Sequence, residues 1–177
     1  MMETRLAKSY AVERAIDFNL VAKSYATDSM GQRTATETVR KVLGSLSSVG
    51  MTEYAAAGQA GLAPAYRVLM QSVDYHGEDA AELGDQTLAE RFTGNGSTAS
   101  YEMARSVYQV KSVTVDGDDA AYTRTGNTVT LADMPDDGAS ISVAYVAYTR
   151  YGIYRTYLRN DDRIELYLQR KAGVTDE

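Results

Sequence analysis

Apolar and polar residues alternate with a period of two along most of the chain, which predicts strands rather than helices. Residues 15–23 set Ile16, Phe18 and Leu20 on one face and Asp17 and Asn19 on the other. A polar turn is expected over 24–32, around Asp28-Ser29-Met30-Gly31. Residues 33–49 read as a long strand, with Thr34, Thr36, Thr38, Val39 and Val42 favouring it and Gly44 marking a bulge. A helix over 36–43, suggested by Glu37, Arg40 and Lys41, is the alternative. Residues 65–73 form the next strand, 74–78 a turn and 79–83 a short edge strand. Residues 1–13 carry weak helical spacing through Leu6 and Tyr10 and are expected to form a short helix or an arm.

The pattern then changes. Residues 84–91 are polar, and 92–145 hold a β pattern of their own. Strands are predicted over 100–103, 107–115, 120–124, 128–131 and 139–145, with a bulge near Lys111-Ser112. Asp116-Gly117 and Gly126-Asn127 supply hairpin turns, and 134–138 a loop. Short strands at this spacing predict a small sandwich. The first pattern resumes with strands over 151–158 and 163–170 about an Asn160-Asp161-Asp162 turn. Ile164, Leu166 and Leu168 point one way there, and Glu165, Tyr167 and Gln169 the other. A two-strand hairpin is marginal alone, so this one must pair with strands from before residue 84. The expected fold is all-β: a small antiparallel β-barrel, 1–84 plus 148–177, interrupted by an inserted Ig-like β-sandwich, 85–147.

Between the second and third barrel strands lies a connection that is no tight turn. Ala55, Ala56, Ala57, Ala60 and Ala63 are small, Gly58 and Gly61 punctuate it, and Pro64 closes it. It exceeds ordinary hairpin length, and its only charge is Glu53, a poor match to solvated disorder. Two readings stand: a segment that needs a partner surface, or an Ala-rich helical turn packed on its own domain.

Composition narrows the function. The 177 residues have a formal net charge of -6, which argues against wrapping nucleic acid by phosphate neutralisation. No cysteine is present, which removes disulfides and thiolate metal sites. The N-terminal residues have no apolar leader and no run reaches membrane-spanning length, so the chain is expected in the cytosol unless something larger carries it, with no membrane partner. Fourteen Tyr stand against two Phe and no Trp, a usage suited to half-buried sheet faces and subunit interfaces. Tyr148, Tyr151, Tyr154 and Tyr157 recur every third residue; with Arg155 they are a candidate subunit interface, against a plain core-and-surface reading.

Chemistry is sparse. The single histidine, His76, sits in a turn and lacks zinc co-ligands. Asp116, Asp118 and Asp119, and Asp133, Asp136 and Asp137, lack calcium-loop spacing and read as turn carboxylates. Gly94-Asn95-Gly96 is not followed by a phosphate-loop Lys-Ser or Lys-Thr. No nucleophile has a motif around it. The expectation is a non-enzyme without metal or cofactor.

Two stretches resemble a known family. Residues 52–68 (Thr-Glu-Tyr-Ala-Ala-Ala-Gly-Gln-Ala-Gly-Leu-Ala-Pro-Ala-Tyr-Arg-Val) followed by Asp74-Tyr75-His76-Gly77-Glu78 resemble the middle of tailed-phage head-closure proteins, also called stopper or head-tail joining proteins. Arg150-Tyr151-Gly152-Ile153-Tyr154-Arg155-Thr156-Tyr157, then Asp162-Arg163-Ile164-Glu165-Leu166-Tyr167-Leu168, resemble that family's C-terminal hairpin. With the opening strands the likeness covers about residues 15–83 and 148–173. The insert, through Phe92-Thr93-Gly94-Asn95-Gly96-Ser97, 113–117 and 134–145, is similar to a small Ig-like module of phage virion proteins and departs from the compact family pattern.

The resemblance implies a barrel that assembles as a homo-oligomeric ring in the virion neck after synthesis in the host cytoplasm. Its partners would be its own copies, the portal-adaptor protein above and tail terminator or tail tube proteins below. Double-stranded DNA would pass through the channel without sequence-specific binding. The channel-gating loop would be Gly50, Met51, Thr52, Glu53, Tyr54, Ala55, Ala56, Ala57, Gly58, Gln59, Ala60, Gly61, Leu62 and Ala63. Alternatives are a tail terminator or other tail-joining ring and, from another class, a capsid-decorating or carbohydrate-binding module.

Overall fold

A computed structural model describes residues 13–60 and 62–170. The expected N-terminal helix or arm, apart from Glu13, lies outside the described residues. The described residues are mostly β strand, and the chain divides into two compact units, Met1–Glu82 with Arg150–Glu177 and Leu83–Thr149. Its strands are β1 (Arg14–Thr27), β2 (Arg33–Ser48), β3 (Pro64–Gln71), β4 (Ala80–Thr93), β5 (Ser100–Glu102), β6 (Val107–Val115), β7 (Asp118–Asp119), β8 (Tyr122–Thr125), β9 (Thr128–Leu131), β10 (Ser140–Leu158) and β11 (Arg163–Gln169); one helix, α1 (Met51–Gln59), joins β2 to β3.

In the first unit the strands close on themselves in the order β11-β3-β2-β1-β4-β10, with β10 pairing back onto β11. At the seam Asp79 N donates to Val21 O at 3.2 Å and Ile153 N donates to Asp79 O at 2.9 Å. Register explains the core. Leu46 lies opposite Val68, which lies opposite Leu166, and Phe18 lies opposite Val42. Apolar residues placed level on neighbouring strands meet inside the ring, and each Leu or Phe so buried contributes about 1.5–3 kcal/mol. Phe18, Leu20, Val68, Leu166 and Leu168 are fully buried.

The second unit has two sheets. The inner lengths of β4 and β10 share a sheet with β6 and β7, and β5-β9-β8 forms the other. Tyr101, Val113, Val129, Leu131, Ile141, Val143 and Tyr145 fill the space between them, the inserted sandwich that alternation predicts. Lys111 is skipped in the β6–β10 register, since Ser112 faces Ala144 and Val110 faces Tyr145; the bulge falls where the sequence places it. Asp116 and Gly117 take φ of 52° and 96°, the left-handed turn that Asp-Gly favours.

Several boundaries differ from expectation. β1 runs to Thr27, which shortens the turn to Asp28–Gln32; Asp28 Oδ1 closes it by accepting from Met30 N at 2.9 Å and Gln32 N at 2.8 Å. Residues 84–91, polar in sequence, lie within strand β4. Their alternation is masked because Glu90, between the half-buried Leu88 and Phe92, points inward. Glu90 is satisfied there by the Tyr145 hydroxyl and by Ala104 N. Residues 140–158 form one strand, where two separate ones were expected, and β10 serves both units. Gly44 makes no bulge: β1 and β2 pair without interruption from Arg14↔Leu46 to Thr27↔Arg33.

Burial, and then the hydrogen bond to Glu90, push Tyr145 up to about 12. The folded state therefore keeps this proton after the unfolded chain loses it. Stability from Tyr145 is complete below pH ~10, the free tyrosine value, and is lost as pH rises through the folded value. Tyr145→Phe should remove that alkaline loss, as read by urea denaturation at a series of alkaline pH values.

Candidate functional site

The sequence-predicted loop Gly50–Ala63 is mostly helix. Residues Met51–Gln59 form α1, and Gly61 lies outside the described residues. Of the two readings the helical one is observed, though with little packing on its own unit: Ala55, Ala56 and Ala57 have high helix propensity, and Glu53 in the first turn suits the positive end of the helix dipole. Gly50 is the extended N-cap and offers no side-chain cap. Past the helix, the Ala57 carbonyl accepts from Ala60 N and Leu62 N, both at 3.0 Å. Pro64 then starts β3.

A nine-residue helix does not persist alone in water. Burial gives this one little support, since Ala57 is its only buried residue. Met51 is 89% exposed and Tyr54 57% exposed. A charged tether compensates. Arg155 Nη1 donates to both oxygens of Glu53, at 2.9 and 3.0 Å, and the Arg155 guanidinium lies 5.4 Å from the centre of the Tyr167 ring.

Beside the tether is a polar cluster on β11, β3, β2 and the turn that follows β10. Tyr167 donates its hydroxyl to Glu165 at 2.9 Å, and Arg159 pairs with Glu165 at 3.1 Å. Arg67 lies 3.7 Å from Glu165, a largely buried carboxylate, and also donates to Ser47 at 3.0 Å. Burial, then the hydrogen bond to Glu165, raise the Tyr167 pKa. The Tyr154 hydroxyl is buried near the Glu53 carboxylate; burial, then the Glu53 charge, raise its pKa.

The four tyrosines, read as a subunit interface or as plain core and surface, have different surroundings. Tyr148 belongs to the second unit and meets Tyr108 edge-on at 5.3 Å. Tyr151 is core, 1% exposed, and meets Tyr66 edge-on at 5.4 Å. Its assignment to an exposed interface is therefore corrected. Tyr154 is the residue skipped in the β10–β11 register, between Ile153↔Leu168 and Arg155↔Tyr167, and it packs 6.2 Å from the Tyr167 ring. Tyr157 is 55% exposed. The bulge breaks the simple alternation and brings Arg155 beside Tyr167, under the helix. Sequence alone offers no signal for the Glu53–Arg155 pair, whose partners are 102 residues apart.

His76 is exposed, and its backbone N–H donates to Glu78 at 2.8 Å. Asp116, Asp118, Asp119, Asp133 and Asp136 line one hollow of the second unit. Among the described residues no group of three or more His, Cys, Asp or Glu is arranged to hold a metal ion. Among the same residues no helix is long and apolar enough to cross a membrane. No family model matches the chain, and no curated protein matches it significantly.

Glu53→Gln should release the helix without unfolding the strand ring. The pair is half-exposed on the Arg155 side, so global stability should fall by no more than about 1 kcal/mol. Amide exchange over 54–59 should speed up by a much larger factor than exchange in β3, and the Tyr154 pKa should move back towards its ordinary value.

Proposed function

We propose that this chain is a structural protein of the tailed-phage neck: a ring-forming head-closure, or stopper, protein. It binds below the portal-adaptor, retains packaged DNA and presents the surface to which the tail attaches. It acts without catalysis or cofactor. The observation that carries the proposal is α1: a small-residue helix, mostly exposed, between the second and third strands of a closed strand ring and tethered by the Glu53–Arg155 ion pair.

Cyclic symmetry brings the same element of every copy to the same distance from the axis. Ala55, Ala56, Gly58 and Ala60 let copies of α1 approach closely there. The hold is reversible, because a half-exposed ion pair contributes little. Loss of the Glu53–Arg155 contact moves α1 without disturbing the core, which suits a gate. A net charge of -6 keeps DNA from adhering to the conduit.

Particles assembled without this protein test the proposal. The expected products are heads that package DNA and then lose it, together with free tails, and the purified protein should restore joining when added back. DNA-filled heads with attached tails, formed in its absence, would contradict the assignment.

A further inference from the structure

We propose that the outer half of the β1–β2 hairpin joins copies of this chain edge to edge, so that ribbons from successive subunits continue one sheet around the ring. The inference rests on the ring assembly proposed above and names the contact that builds it.

β1 and β2 stay in register for their full length, but their neighbours do not follow them. β4 pairs with β1 only at Asn19–Val21, and β3 pairs with β2 only at Ser45–Ser48. Residues 22–27 and 33–38 therefore carry no third strand among the described residues, and every residue from 23 to 39 is exposed. A two-stranded ribbon is marginal in water. This one is nonetheless finished with care: Asp28 closes its tip, and Arg33 stacks 4.9 Å over the Tyr25 ring. At its base Glu37 binds Arg150 at 2.8 and 2.9 Å and Lys23 at 3.3 Å.

Open edges are normally blunted by proline, a bulge or charged side chains, and this ribbon carries three charges, Lys23, Arg33 and Glu37, of both signs. Neither edge here has a proline or a bulge. One face of the ribbon is made of Ala22, Ser24, Ala26, Thr34, Thr36 and Thr38, small and uncharged throughout. The two edges also fit each other. β1 and β2 run in opposite directions, so β2 of one copy and β1 of the next meet as an antiparallel pair. Cyclic symmetry keeps all copies level, so each β1 meets the neighbouring β2 at heights set by the register within one chain. Lys23 of one copy then stands near Glu37 of the next, Tyr25 near Ala35 and Thr27 near Arg33, with no like charges opposed. Because the two edges differ, the contact is head-to-tail, the kind that closes a ring when the rotation between copies closes and that differs from the self-complementary contact of a two-fold dimer. Copies of this chain are the occupant, one neighbour on each edge.

The chain has no native cysteine, so the contact can be trapped directly. Ala26→Cys protein, labelled with 15N, is mixed with Thr34→Cys or with Thr36→Cys protein, the two positions allowing for strand tilt. After mild oxidation, disulfide-linked pairs are identified by mass. Mixed pairs should exceed either self-pair by about ten-fold, because assembly raises the local concentration of that combination alone. Mixed pairs no more abundant than those of a Thr123→Cys control, or self-pairs in excess, would overturn the proposal. Sedimentation of the unsubstituted protein, run alongside, separates the two levels. Rings without mixed cross-links sink the ribbon contact and leave the ring; neither rings nor cross-links sink both.

Discussion

Arg40→Leu is expected to cost about 3 kcal/mol of stability, measured by urea unfolding. Arg40 faces the same side of its strand as the core, opposite Leu20. Its guanidinium reaches the Asp74 carbonyl and binds Glu78 at 2.5 Å. Glu78 is 6% exposed and also accepts from His76 N. Removing one partner of a buried pair strands the other charge, at a cost of about 3–5 kcal/mol. The low end applies, because Arg40 is itself 34% exposed. Burial pushes the Glu78 pKa up, but the bonds from Arg40 and from His76 N outweigh it, and the net shift is downward. A lowered carboxylate contributes stability that is complete above the unfolded value and is lost as pH falls through the folded value. In Arg40→Leu the burial remains without the cation, so the sign reverses. The deficit should be greatest near neutral pH and shrink as acid protonates Glu78. Glu78→Gln added to Arg40→Leu should recover part of the loss at neutral pH. A loss independent of pH would mean that Arg40 acts through packing alone.

Gly44→Ala is expected to cost a further-reaching 1–3 kcal/mol, roughly the penalty for overfilling a packed interior, and Gly44→Val more. A Cβ at Gly44 would stand 2.8 Å from the Leu69 carbonyl oxygen, 3.0 Å from the Phe18 ring and 3.2 Å from a Val68 methyl. The carbonyl is backbone of β3 and cannot step aside without opening the pairing that begins at Ser45↔Leu69. Exchange of the β3 amides should therefore quicken in the variant. Stability equal to the parent would show that β2 and β3 approach less closely than the structure has them.

Glycine 44 also illustrates what the sequence can convey. Its exceptional role is visible in the middle of a strand, but a bulge and a close approach of another strand produce the same letter. The alternating faces of β1, β6 and β11 are legible because one side of each is buried and the other wet. β4 hides its alternation behind Glu90, whose partner Tyr145 lies 55 residues on. The same holds for β10. Tyrosine suits core, bulge and surface alike, so a three-residue spacing of Tyr148, Tyr151, Tyr154 and Tyr157 cannot reveal that they serve different places. The connection at α1 is recognisable as unusual from its small residues. Its alanines favour a helix, but nine residues are too few to hold one alone, and the contact that helps to hold it, Arg155 on Glu53, is non-local.

The most direct test of the account is an image reconstruction of the assembled neck with this subunit traced in it. The account predicts a ring of copies directly below the portal-adaptor, with Ala55 and Ala56 of α1 nearer the symmetry axis than any β-strand. Density that places the chain outside the neck, or α1 on the outer rim of a ring, would contradict it.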